Sequence, residues 1–295
     1  MKNNVTQLPG PCCELGEGAY YDSTGNTAWW FDIDGKTLVE YSLSNETAHG
    51  HNLPKMASMI ARIDDDRQLV AMEDGLYIRT ISDASLKLLQ PLEADNPATR
   101  SNDGRVHTSG NLWIGTMGKM EEKEAGAIYW FNGNEVRLLY PDISIPNSIC
   151  FSPDGKIGYF ADTALNTVWR VNIDASTGLP TDKPEVFLKG TQQEGGGFFD
   201  GAITDSDGNF WSASWGGGAI HGFAPDGNCF QTIKIPAKQV TCPSFIGRDY
   251  NKMFVTTAWK KMSKEEKNSD RGAGYSYLID GNFNGKAEPE FKLTE

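Results

Sequence analysis

The chain has 295 residues and a formal net charge of -12, with 39% hydrophobic, 11% aromatic and 22% charged residues and 32 glycines. That apolar content supports a large buried core and excludes a disordered chain, and barrels or propellers of this length fold as one unit, so a single domain over 1–295 is expected. The acidic balance has no basic run to offset it, which argues against nucleic acid or an anionic membrane as partner and leaves small molecules and metal ions; no obligate protein partner is evident.

The opening stretch MKNNVTQLPGPCCELGEGAYY holds no apolar core of signal-peptide length, and no later stretch reaches the roughly 18 consecutive apolar residues of a membrane span, so the cytoplasm is the expected location. Five cysteines without C-x-x-C spacing, Cys12 and Cys13 adjacent, read as reduced thiols. From residue 22 a unit of turn, aromatic or aliphatic strand and second strand recurs: DSTGNTAWWFDIDGKTLVEYSL, DDRQLVAMEDGLYIRTI, TSGNLWIGTMG with GAIYWFNG, SPDGKIGYFADTALNTVWRVNI, DSDGNFWSASWGGGAIHGFAPDG, then RDYNKMFVTTAW with GYSYLID. The starts lie roughly 40 to 50 residues apart, the period of a four-stranded blade, and the D-G and S-G pairs suit tight turns. The best helical candidate, KKMSKEEKNSDR at 260–271, is charged and reads as a solvated loop or a single turn. The pattern predicts an all-β, six-bladed β-propeller; an irregular all-β sandwich would leave the shared period unexplained.

Ahead of five of the six turns lies an otherwise apolar segment with a short polar residue at a matching place. These are Glu17 in CELGEGAYY, Asn102 and Asp103 in ATRSNDGRV, Asn147 in SIPNSICF, Asp200 in GGGFFDGAI, and Thr241 with Cys242 in QVTCPSF. In a propeller such segments are innermost strands that converge at the channel mouth. Two carboxylates and an amide oxygen there suit a hard divalent cation, whereas any one of these residues alone is as well explained by bonding backbone amides at a strand end. The glycines before Asp200 would let the backbone bend, with Phe198 and Phe199 anchoring the strand between blades. Trp215 is either a substrate-stacking surface or core, and His49, His51, His107 and His221 read as structural or exposed.

The stretches LGEG at 15–18, RSNDGRVHTSGNLWIGTM at 100–117, IPNSICFSPDGKIGYFADT at 145–163, FFDGAITDSDGNFWSASWGGGAI at 198–220 and VTCPSFIG at 240–247 resemble, in order, the SMP-30/gluconolactonase/LRE-like family, also called regucalcin-like, of six-bladed propeller sugar lactonases. The resemblance implies one divalent metal held by Glu17, Asn147 and Asp200, with substrate contacts from Arg100 and Asn102. It also implies hydrolysis of a pentono- or hexonolactone to its aldonic acid in carbohydrate catabolism. All-oxygen ligands admit Ca²⁺, Mg²⁺, Mn²⁺ and Zn²⁺. Asp200 is the candidate general base, a hydroxide on the ion being the alternative. Asp103 is either an acceptor that orients a ligand or a turn residue before Gly104. The sequence departs from the family in two places: Met120, followed by Glu121, stands where animal members have a substrate-touching glutamate, and Ser148 replaces the glycine after Pro-Asn. Competing functions are a calcium- or partner-binding propeller without catalysis, and hydrolysis of other activated esters or organophosphates.

Overall fold

The computed structural model describes residues 4–293, and nearly all of its regular structure is strand. β1 (Asn4–Gln7) precedes four antiparallel four-stranded sheets that follow one another along the chain. The first is β2 (Gly16–Asp22), β3 (Thr27–Asp32), β4 (Thr37–Ser42) and β5 (Thr47–Asn52). The second is β6 (Ala57–Arg62), β7 (Arg67–Met72), β8 (Gly75–Thr80) and β9 (Leu86–Pro91). The third is β10 (Thr99–Val106), β11 (Leu112–Gly118), β12 (Gly126–Phe131) and β13 (Val136–Ile143). The fourth is β14 (Pro146–Phe151), β15 (Ile157–Asp162), β16 (Thr167–Asn172) and β17 (Glu185–Lys189). Then come β18 (Phe198–Thr204), β19 (Phe210–Trp215), β20 (Ala219–Phe223), β21 (Cys229–Lys234), β22 (Gln239–Ile246), β23 (Lys252–Ala258) and β24 (Tyr277–Asp280).

The sequence period predicts six separate blades, and here the structure corrects it. Four four-stranded sheets stand free, while β18 to β24 together with β1 form one eight-stranded sheet. A single pairing is responsible: β19 runs on to Trp215, which pairs with Gln239 at the start of β22. A period in the sequence counts hairpins and is blind to which sheet edges meet. The arrangement is all-β and propeller-like, for β6 packs against β2, β10 against β6, β14 against β10, β18 against β14 and β22 against β18, and β22 returns to β2.

The turn chemistry follows the sequence, with Gly155 and Gly208 at φ +68° and +81° closing hairpins in a backbone region that a Cβ disfavours. Alternation along the strands sends one face of each sheet toward its neighbour, and the core is divided into apolar slabs between sheets. Trp113, Ile128, Ile149, Phe151 and Phe160, for example, fill the space between the third and fourth. The 260–271 stretch contains a six-residue helix, α1 (Lys264–Ser269), started by a capping box in which Ser263 and Glu266 bond each other's backbone. Beyond β24 the chain crosses the ring without forming a strand. Glu288 pairs with the buried Arg105 of β10 at 3.5 Å, and Phe291 stacks on Phe131. Among the described residues no helix is long and apolar enough to cross a membrane.

Candidate functional site

Every strand lining the ring carries a β-bulge: the ladder register shifts after Glu17 in β2, Ala57 in β6, Ser101 in β10, Asn147 in β14, Phe199 in β18 and Val240 in β22. A bulge frees two or so residues from pairing and re-aims their side chains, which is why such features gather beside sites. Glu17 and Asn147 are the last paired residues before their bulges, whereas Asn102 and Asp200 are the first unpaired ones. The four positions therefore match only to within one residue.

All four line one cavity of about 380 Å³, together with Arg100, Thr163, Trp215 and Lys261. Asp200 and Asn147 are 4% exposed and Arg100 3%, while Glu17 is half-buried. Arg100 has no ion pair among the described residues. Its Nη1 donates to the Ser101 carbonyl and to Asn102 Oδ1, both at 2.8 Å, and its Nε is buried without a partner. Asn102 Nδ2 donates to the Pro146 carbonyl at 2.9 Å and to Asn147 Oδ1 at 3.0 Å. Asn147 Nδ2 in turn donates to Thr163 Oγ1 at 2.8 Å.

The carboxylates are poorly satisfied. Asp200 Oδ1 is buried with no partner, and Glu17 accepts from the Gly18 amide at a long 3.4 Å. Burial, then the Asp103 carboxylate, pushes Glu17 up to about 8. Burial, then the Glu17 and Asp103 carboxylates, raises Asp200 well above the ordinary carboxylate range. One buried and one half-buried acid, the former with an orphaned oxygen, beside an amide oxygen, make a donor set that fits a hard divalent cation, whose charge would answer both. Among the described residues no group of three or more His, Cys, Asp and Glu could hold a metal.

Position bears on the other expectations. Asp103 lies inside β10 rather than in a turn, and its two oxygens accept from the Gly104 and Ile149 amides at 2.8 Å, stitching the β10 bulge to β14. Thr241 donates to the Gly16 carbonyl at 2.5 Å, and Cys242 is buried with its thiol pushed up by burial, so both tie the structure rather than face the cavity. Met120 is 79% exposed, and Glu121 beside it reaches the cavity rim, accepting from Lys261 Nζ at 2.7 Å. Trp215 is half-buried, with one side against the core and another on the cavity. Phe199 is buried, but Phe198 points out, since neighbours on a strand face opposite ways; only one of the pair anchors β18. The glycines at 195–197 all take positive φ, and Asn166 clamps them, donating to the Gly197 carbonyl and accepting from the Phe199 amide. His107 bonds the Gly155 carbonyl, His221 contacts Thr232, His51 pairs with Glu40 and His49 packs on His51. Thr163 and the 260–262 segment on the cavity wall have no sequence signal, because each reaches it only through the folded loops.

The SMP-30/Gluconolactonase/LRE-like region is matched by residues 15–259. A protein of Rhizobium meliloti (strain 1021) named "Putative sugar lactone lactonase" is 43% identical over 280 residues, 95% of this chain and 94% of the relative. The L-arabinolactonase of Azospirillum brasilense is 28% identical over 285 residues, 95% of this chain and 93% of that one. Among solved structures, that of a calcium-binding protein, regucalcin, from Agrobacterium tumefaciens str. C58 superposes with a TM-score of 0.96 at 43% identity, covering 99% of each chain. With ring, bulges and cavity in agreement with that match, the chain belongs to the SMP-30/gluconolactonase/LRE-like family.

Proposed function

We propose that this chain is a metal-dependent sugar lactonase that opens an aldonolactone to its aldonic acid. The observation that carries the proposal is the orphaned Asp200 Oδ1 in a cavity shared with Glu17, Asn147 and a buried, unpaired Arg100. Relatives named as lactonases support the substrate class, and the calcium-binding relative supports a divalent ion held by Glu17, Asn147 and Asp200. Such an ion supplies positive charge that polarises the lactone carbonyl.

The chain's own groups do the rest. Arg100 Nη2 has donors to spare for ring hydroxyls, whereas Asn102, both amide protons already committed, offers one remaining acceptor lone pair. The Asp200 carboxylate takes the proton of the attacking water as the water oxygen bonds the carbonyl carbon. The ring C–O bond then breaks, and the proton passes to the departing ring oxygen. Trp215 and Met117 supply apolar wall against the sugar face. Five free thiols fit a reducing compartment, and the cytoplasm is the proposed location.

The test is acid release from a panel of pentono- and hexonolactones by chelator-stripped protein with each divalent ion restored, wild type beside Asp200→Asn. Turnover that requires the ion and falls by about 10²-fold or more in the variant is expected. Wild-type protein that never exceeds the uncatalysed rate with any ion overturns the reading and leaves a binding protein.

A further inference from the structure

One hydrogen-bonded chain crosses the cavity wall in a single direction. Arg100 donates to Asn102 Oδ1 at 2.8 Å, Asn102 donates to Asn147 Oδ1 at 3.0 Å, Asn147 donates to Thr163 Oγ1 at 2.8 Å, and Thr163 donates to the Phe199 carbonyl at 2.7 Å. Its ends admit no reversal, since a guanidinium has only donors and a backbone carbonyl only acceptors. Thr163 has one hydroxyl proton, and that proton is given to Phe199. Toward Asn147 it can only accept, so the amide nitrogen of Asn147 must face Thr163 and the amide oxygen must face Asn102.

Thr163 is itself immobilised. It follows Asp162, whose carboxylate accepts from the Ser144, Ile145 and Ala164 amides at 3.0 to 3.1 Å, and its own amide donates to the Ile145 carbonyl at 3.0 Å. It also joins β14 to β18, because the carbonyl it holds belongs to the residue before Asp200.

We infer that Thr163 is a positioning residue that fixes which end of the Asn147 amide faces the site, presenting oxygen to a divalent cation. The inference rests on the reading of Glu17, Asn147 and Asp200 as a cation site. Removing the hydroxyl leaves the Asn147 amide nitrogen without its acceptor, so the side chain keeps only the bond from Asn102 to hold it in the orientation that a cation needs. Partners that orient a ligand in this way are worth about 10- to 100-fold in metal affinity.

The experiment is calorimetric titration of Mn²⁺ and Ca²⁺ into chelator-stripped protein, with thermal unfolding of each variant recorded alongside. Thr163→Val, close in shape but without the hydroxyl, is expected to bind about 10- to 100-fold more weakly than wild type, and Thr163→Ser within about threefold of it. A second background separates orientation from packing. With Asn147→Asp both ends of the side chain carry oxygen, so adding Thr163→Val there is expected to cost less than about threefold. Equal affinity of wild type and Thr163→Val overturns the inference and leaves the site reading intact, as does an equal loss in both backgrounds. Wild type that binds neither ion overturns the site reading and the inference together.

Discussion

Glu17 holds an uncomfortable charge in the cavity, and its titration makes a testable prediction. Its ordinary value is 4.5, and burial with the nearby Asp103 carboxylate raises it to about 8. A raised folded value means that the folded, metal-free protein holds its proton where the unfolded chain has lost it. Stability from this group is fully present below pH 4.5 and is lost as the pH climbs through about 8. A bound divalent ion favours the ionised acid and opposes the loss. Chelator-treated protein should therefore show a Tm that falls across this window, a divalent ion should raise Tm more at the alkaline end than at the acid end, and Glu17→Gln should flatten the metal-free curve. Differential scanning calorimetry across the window checks all three. At this scale the sequence was informative about chemistry and poor about support. The acids, the amide and the arginine are residue types with a chemistry of their own, so spacing pointed to them. Thr163 matters through which groups it touches, and that depends on folding.

At the scale of the strand the bulges decide the site, and they were not legible. N-D-G at 102–104 reads as a turn, yet it lies within β10, where the extra residues are absorbed by a register shift. The bulge of β14 is strained: Ser148 sits at φ +56°, a left-handed conformation that costs roughly 1–2 kcal/mol in a residue with a Cβ. Its hydroxyl, fully buried, donates to the Asp200 carbonyl at 2.5 Å and so ties β14 to β18, two strands that line the cavity. Ser148→Ala keeps the strain and loses the bond, so it should destabilise by about 1–3 kcal/mol in urea melts. Ser148→Gly also loses the bond but relieves the strain, and should come out about 1 kcal/mol better than the alanine variant. The strands themselves were legible because alternation and turn residues are local. The short α1 was read only as a solvated loop or a single turn, although Ser263 and Glu266 have capping-box spacing.

For the molecule as a whole, the sequence period revealed the repeated hairpin and missed the seam at Trp215 and Gln239 that merges two runs into one sheet. Nor did any local pattern mark the segment after β24, whose Glu288 answers the buried Arg105 from across the chain. Both side chains are about one-tenth exposed, so removing one partner strands a charge in the ring. Glu288→Gln should destabilise the protein by about 3 kcal/mol, read as a lower denaturation midpoint with an unchanged slope. A variant as stable as wild type would show the pair to be incidental.

The bulge residues Glu17, Asn147 and Asp200 belong to three different sheets, far apart along the chain. No fragment short of all three can assemble their oxygens, so during synthesis the last of them arrives long after the first, and the pocket exists only once the circle has closed. On the proposed reading, ion capture would act as a closure sensor: slippage between these sheets would open the cage, and an ion held by all three would resist the slippage from the axis outward.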